Sequence, residues 1–202
     1  MPFTNRKRLL DRTINNRDAN LIIIATEGQE TEKQYFSIFR NPKINVVVIP
    51  TTDGKSAPNH VLSRLDIIKN DYELNDNDSL WLMIDIDRIR DEQRSQICQK
   101  ALQKGFNLAI SNPCFELWLY LHFVEIEDMN ISCSQLEKKL RKILGSYNKS
   151  KLDLEKYKGQ IYSAVKRAKS LDTNPSERWP NSIGTHVYKI RVVALCRINK
   201  IA

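Results

Sequence analysis

No stretch of this 202-residue chain approaches the ~18 to 20 continuous apolar residues that a membrane-spanning helix requires. No membrane partner is therefore expected. The opening MPFTNRKRLLDRTINNR is polar and basic, without the apolar centre of a secretory signal, so the expected location is the cytoplasm. Cysteine is sparse: Cys98, Cys114, Cys133 and Cys196 are scattered, with no CxxC and no Cys/His knuckle. That spacing argues against a zinc site or a disulfide framework and leaves the four as small buried hydrophobes. There is no GxGxxG to cradle a dinucleotide. GKS at 54–56 is not a P-loop either, because Ile49 stands where the first glycine would be. Internal repeats and low-complexity tracts are also missing.

What remains is a chain with 41% apolar residues, long enough for one substantial domain, or one domain and a small appendage. Its formal charge of +8 is unevenly placed. Residues 130–202 hold 16 Lys and Arg against 5 Asp and Glu, whereas residues 1–129 hold 16 against 19. An acidic front and a basic back fit chemistry in the first part and contact with a polyanion in the second, although a solvated helical surface gives the same count.

The apolar pattern alternates between strands and helices. NLIIIAT (20–26), INVVVIP (44–50), LWLMIDIDR (80–88) and FNLAISNP (106–113) are short apolar or β-branched runs suited to buried strands. Between them, EGQETEKQYFSIFR shows Tyr35, Phe36 and Phe39 on one helical face. NHVLSRLDIIKNDYEL has Val61, Leu62, Leu65 and Ile68 at helical spacing, with Pro58 near its first turn. DEQRSQICQKALQKG has acids in its first turn and Lys104-Gly105 at its end, as the helix dipole and C-cap favour. PCFELWLYLHF, opened by Pro113, reads as a largely buried helix. This order predicts an α/β fold: an open parallel sheet of about four strands, flanked by helices and joined by right-handed crossovers. Beyond residue 130 strands are expected to stop. SCSQLEKKLRKILG, residues 154–171 and THVYKIRVVALCRI read as helices, with TNPSERWPNSIG as a loop. Three units follow: a basic segment at 1–19, an α/β domain at 20–128, and a basic helical extension at 129–202 packed on it.

In α/β sheets, functional groups gather beyond the carboxyl ends of the strands. Asp85 and Asp87 lie at such an end, two residues apart and so on one side of the strand. Glu27 occupies the equivalent place after the first strand, beside Gly28, where the backbone can turn sharply. Carboxylates so gathered repel one another, and an oxygen-ligated cation such as Mg²⁺ removes that cost. A DxD alone is equally explained by Asp87 or Asp91 capping the next helix; the added glutamate is what favours a site.

A glutamate after the first strand and a DxD after the third resemble a Toprim domain, the metal-binding fold of topoisomerases, primases and overcoming-lysogenization-defect nucleases. More narrowly, IIIATEGQETEKQYF, VIPTTDGKSAPNHVL, LWLMIDIDR and SNPCFELWLYLHF resemble the RloB-like family, which includes AbiLii-type abortive-infection proteins. The likeness spans about residues 20–125, with a weaker echo in NSIGTHVYKI. It implies a Toprim-like sheet and a Mg²⁺-dependent nuclease, with Mn²⁺ as a possible substitute, in bacterial antiphage defence. The implied partners are DNA or RNA and an ABC/SMC-like ATPase encoded nearby. By the same resemblance Asp85 and Asp87 are metal ligands, and Glu27 is a ligand or general acid/base. No strand-passage domain accompanies them, so DNA relaxation is not expected.

Further candidates stand on this edge. Glu30 falls within EGQETE, the stretch that matches the family's EGxxTE pattern, and is taken as a site candidate, while early helical acids such as Glu30 and Glu32 also simply favour the dipole. Lys55 and Ser56, with Asp53, follow the second strand, where Lys55 can hold a phosphate and DG can equally be a plain turn. Asn112 and Glu116 follow the fourth strand. Glu116 is hard to bury unpaired and so must reach solvent, a base or a metal. Arg88 and Arg90 are phosphate contacts or solvated surface; His122 is more simply a satisfied core histidine. Trp81, Trp118 and the tyrosines are expected in the core. Two other functional classes stay open: a non-catalytic metal-binding partner of an ATPase, and a nucleic-acid-binding module.

Overall fold

The computed structural model describes residues 20–39, 44–51, 57–71, 74–87 and 89–190. The four apolar runs form strands: β1 (Asn20–Thr26), β2 (Ile44–Ile49), β3 (Ser79–Asp85) and β4 (Asn107–Asn112). All four are parallel, in the order β2-β1-β3-β4. Alternation of side chains divides the core between the sheet's two faces. On one, Ile22, Ile24, Trp81, Met83 and Ala109 meet Tyr35 and Phe36 of α1 (Thr31–Phe36) and the apolar residues of α4 (Phe115–Leu121). On the other, Leu21, Ile23, Leu82, Ile84 and Ile110 meet α2 (Pro58–Asp71) and α3 (Asp91–Gln103). Helix α3 ends as its sequence indicates, with Lys104 at the C-cap and Gly105 at φ +79°.

Helix α4 is buried on every side, from Phe115 to Leu121. A buried helix needs a second cover, and α5 (Cys133–Leu144), α6 (Leu154–Lys158) and α7 (Ile161–Leu171) supply it. Ser132 caps α5 through a capping box with Gln135, and Gly145 at φ +75° closes it. Among the described residues, no helix is long and apolar enough to cross a membrane.

Several expectations need correction. Strands do not stop at residue 130: β5 (Gly184–Thr185) pairs antiparallel with Ser111 and Asn112, making a fifth strand. Two residues leave no hydrophobic periodicity to read, which is why THVYKI suggested a helix; Val187–Lys189 forms one 3-10 turn, and the residues from 191 onward lie outside those described. The expected helix at 154–171 breaks between Lys158 and Ile161, at Gly159-Gln160. Helix α1 starts only at Thr31, after a turn that the strand end requires, and α4 starts at Phe115, after the cis Asn112–Pro113 turn. Cys114 and Cys133 are joined as a disulfide, linking the starts of α4 and α5, whereas Cys98 is a buried free thiol as expected. Cys196 lies outside the described residues. Tyr162 is not core: α7 buries Ile161, Ala164, Val165 and Ala168, and that stripe turns Tyr162 outward.

Candidate active site

The strand ends converge as the parallel order demands. Thr26 sits beside Met83 and Asp85 beside Ser111, so Glu27, one residue past β1, comes level with the end of β3. The turn that carries Glu27 is pinned from below. Arg64 of α2 donates through Nη2 to the Thr26 carbonyl (2.7 Å) and to Thr51 Oγ1 (3.0 Å), and Thr51 Oγ1 donates to that same carbonyl (3.2 Å). The Thr51 amide and the Thr26 hydroxyl both donate to the Gly28 carbonyl, at 3.2 and 3.0 Å. On the β3 side, the Ile86 amide donates to Ser111 O (3.1 Å) and the Asp87 amide to Pro113 O (3.3 Å). The DxD loop is thus laced to the end of β4.

Above these turns opens a cavity of about 350 Å³. Glu27, Glu30, Glu32, Asp85, Asp87, Glu116 and Glu137 line it, and Lys149 is the one cationic lining residue among those described. Of the residues expected at the site, the cavity gathers Glu27, Glu30, Asp85, Asp87 and Glu116. Asn112 is not in its wall: the amide of that side chain donates to Pro180 O (3.2 Å) and Ser182 O (2.9 Å), holding the 180–185 segment to β4. Lys55, Ser56 and Arg88, with Asp53, lie outside the described residues.

Glu32, Glu137 and Lys149 complete the wall, and sequence reasoning did not select them. A signal existed for Glu32: it falls at i with Tyr35, Phe36 and Phe39 at i+3, i+4 and i+7, so helical periodicity itself turns it inward while Glu30 stays exposed. Glu137 likewise shares the inner side of α5 with Leu136 and Leu140. Lys149 lies in a loop and had no periodic signal.

That loop is fastened to α1. Thr31 Oγ1 (3.1 Å) and Gln34 Nε2 (3.2 Å) donate to the Lys149 carbonyl, and the Leu152 amide donates to Gln34 Oε1 (2.8 Å). The clasp directs the Lys149 ammonium to Glu116 Oε1 (2.6 Å) and Glu137 Oε1 (2.9 Å). Glu116, only 6% exposed, thereby meets the base that its burial demands, and Tyr147 OH donates to the same carboxylate at 3.4 Å. The disulfide forms another part of the wall, with Cys133 Sγ 3.3 Å from Asp87 Oδ2.

Crowding carboxylates out of water shows in their proton affinities. Burial, then the charges of Glu27, Glu32 and Glu116, raises Asp85 well above the ordinary aspartate range. Glu32 is pushed up to about 7, chiefly by burial, with the charge of Glu116 adding and backbone N–H groups and Lys149 opposing. Burial would lower Lys149, but its hydrogen bonds to Glu116 and Glu137 hold it above the usual lysine value. Gly28 has a steric reason here: a Cβ at that position would occupy the space of the Glu32 carboxylate. His122 lies outside this site. Its Nε2 accepts from Tyr35 OH (3.1 Å), its Nδ1 donates to Trp118 O (2.9 Å), and burial lowers it to about 4, so it is a neutral core histidine.

Among the described residues, no three His, Cys, Asp or Glu side chains are drawn together as a finished ligand shell. The donor chemistry nevertheless suits a hard divalent cation: every acidic group offers oxygen, and their mutual repulsion is what such an ion relieves. A protein-family model described as RloB-like protein matches residues 22–192. No curated protein and no solved structure was found to match the chain.

Proposed function

The chain belongs to the RloB-like family, and on that premise we propose that it is a Toprim-type, Mg²⁺-dependent phosphodiesterase. Its substrate in this reading is DNA or RNA, and its setting is antiphage defence beside an ABC/SMC-like ATPase. The observation that carries the reading is the cavity itself, where carboxylates from the ends of β1 and β3 and from the starts of α1 and α4 line one space together with the Lys149 ammonium.

Asp85, Asp87 and Glu27 would hold the Mg²⁺ (or Mn²⁺), whose chemistry is to neutralise phosphate charge and acidify a bound water. The chain's own groups do the rest. Arg64 and Thr51 fix the peptide of Glu27, so that its carboxylate stays at the cavity wall and can exchange a proton with water or a leaving hydroxyl. Lys149 offers the cavity a cation that does not depend on metal loading. The clasp to Thr31 and Gln34 keeps that cation on the acidic wall instead of free in solvent.

Calorimetry with Mg²⁺ and Mn²⁺ on wild type, Asp85→Asn and Asp87→Asn tests the metal; equal binding in all three removes this reading. Glu27→Gln tests catalysis. It should fold, keep metal affinity better than Asp85→Asn does, and lose roughly 10²–10⁴-fold in single-turnover cleavage, with the ATPase present if it is required. A wild-type protein that binds the ion and never cuts DNA or RNA would instead be a non-catalytic metal-binding partner.

A further inference from the structure

Residues 131–171, which form the outer layer, carry eleven Lys and Arg against three acids. The acids are already answered: Glu137 by Lys149, Asp153 by Lys156 and Glu155 by Lys158. Lys138, Arg141 and Lys142 on α5 and Lys166 on α7 are exposed and have no acidic partner among the described residues. Helix α5 also begins at the cavity, since Cys133 and Glu137 line it. From Glu137 to Lys142 is five residues, about 7.5 Å along the helix axis. Cations on α5 therefore start beside the cavity wall and continue along the helix.

Helix α7 adds a different element. Tyr162 exposes 63% of its surface, more than any other large apolar or aromatic side chain exposed among the described residues. Lys166 and Lys169 follow it at i+4 and i+7, on the same exposed stripe. A bare aromatic ring with ammonium groups one and two turns away matches the two needs of an unpaired nucleotide, a surface for the base and a counter-charge for the phosphate. A duplex keeps its base faces covered and can use only the charges.

We propose that the exposed stripe of α7 binds single-stranded nucleic acid, with Tyr162 stacking on a base and Lys166 and Lys169 holding phosphates, while Lys138 and Lys142 on α5, the other helix packed on α4, hold further phosphates of the same strand. This deepens the phosphodiesterase reading, on which it rests for its substrate class, by naming the strandedness of the substrate and the surface that takes it.

The test is fluorescence anisotropy of the full chain with labelled single-stranded DNA, single-stranded RNA and duplex DNA, in EDTA so that no cleavage intervenes. Wild type should bind at least one single strand more tightly than duplex, the two single-strand arms showing which sugar is preferred. Tyr162→Ala should weaken single-strand binding by about 5- to 100-fold, leave duplex binding unchanged, and be rescued by Tyr162→Phe. Lys166→Gln/Lys169→Gln should reduce the slope of log affinity against log salt by about 1.4, as should Lys138→Gln/Lys142→Gln. Tyr162→Ala binding like wild type, equal losses on single strand and duplex, or no single-strand binding at all would each overturn the proposal. Strands bound tightly in EDTA but never cut with Mg²⁺ would sink the phosphodiesterase reading and leave this one standing.

Discussion

Glu32 should make the metal-free protein less stable as pH rises, and the size of the effect can be worked out in advance. Its carboxyl goes from an ordinary 4.5 when unfolded to about 7 when folded, so between those values the native state holds a proton that the unfolded chain has released. Stability from this group is complete below pH 4.5 and is lost as pH climbs through 7. The gap, at ~1.36 kcal/mol per pH unit, corresponds to a loss on the order of 3 kcal/mol. Asp85 is raised for the same reason and adds a loss of the same sign. Glutamine at position 32 keeps the shape and the hydrogen-bond acceptor but has no proton to lose. Urea unfolding in EDTA at half-unit steps from pH 4.5 to 8 should therefore show wild-type stability falling, and Glu32→Gln falling by about 3 kcal/mol less. At pH 8 the variant should be the more stable protein. Wild type and variant with the same slope would refute the placement of Glu32 among the cavity's buried carboxylates.

Lys149→Met should lower metal-free stability by roughly 1–2 kcal/mol, because Glu116 loses its partner while Lys149 itself is half exposed. Millimolar Mg²⁺ should narrow that deficit in urea melts, and a variant as stable as wild type in EDTA would show the ammonium to be dispensable. The Cys114–Cys133 bond closes a loop with a sequence separation of 19, so its reduction should cost about 3 kcal/mol. Alkylation of both cysteines in the unfolded, unreduced protein would refute the bond.

Legibility in the sequence followed pattern length. Four apolar runs gave four parallel strands, and helices with caps, such as α3 with Lys104-Gly105, could be placed nearly to the residue. The strand-end rule collected Glu27, Asp85 and Asp87 because parallel register puts the ends of β1 and β3 side by side. What escaped had no period of its own. Lys149 reaches the cavity through backbone bonds to Thr31 and Gln34, 118 and 115 residues away in sequence, and no local pattern encodes that clasp. The disulfide joins two helix starts whose proximity depends on how α5 crosses α4. Glu32 was readable, but its acidic character suggested the dipole when its spacing with Tyr35, Phe36 and Phe39 pointed inward.

The pairing of β5 with β4 also sets a schedule for biosynthesis. The outer edge of β4 at Ser111 and Asn112 receives its partners only when Gly184 and Thr185 have been made. At 5–20 residues per second, translation takes roughly 4 to 15 s to cover that interval. Throughout it the nascent chain presents a sheet edge beside the loop that carries Asp87, with Ser111 Oγ still lacking Thr185 Oγ1 at 2.8 Å. The β4 flank of the sheet is thus completed late, by the last of the described strands to emerge. A ribosome stalled before residue 184 would hold a chain whose core strands are all present and whose open flank invites pairing with a neighbouring nascent chain.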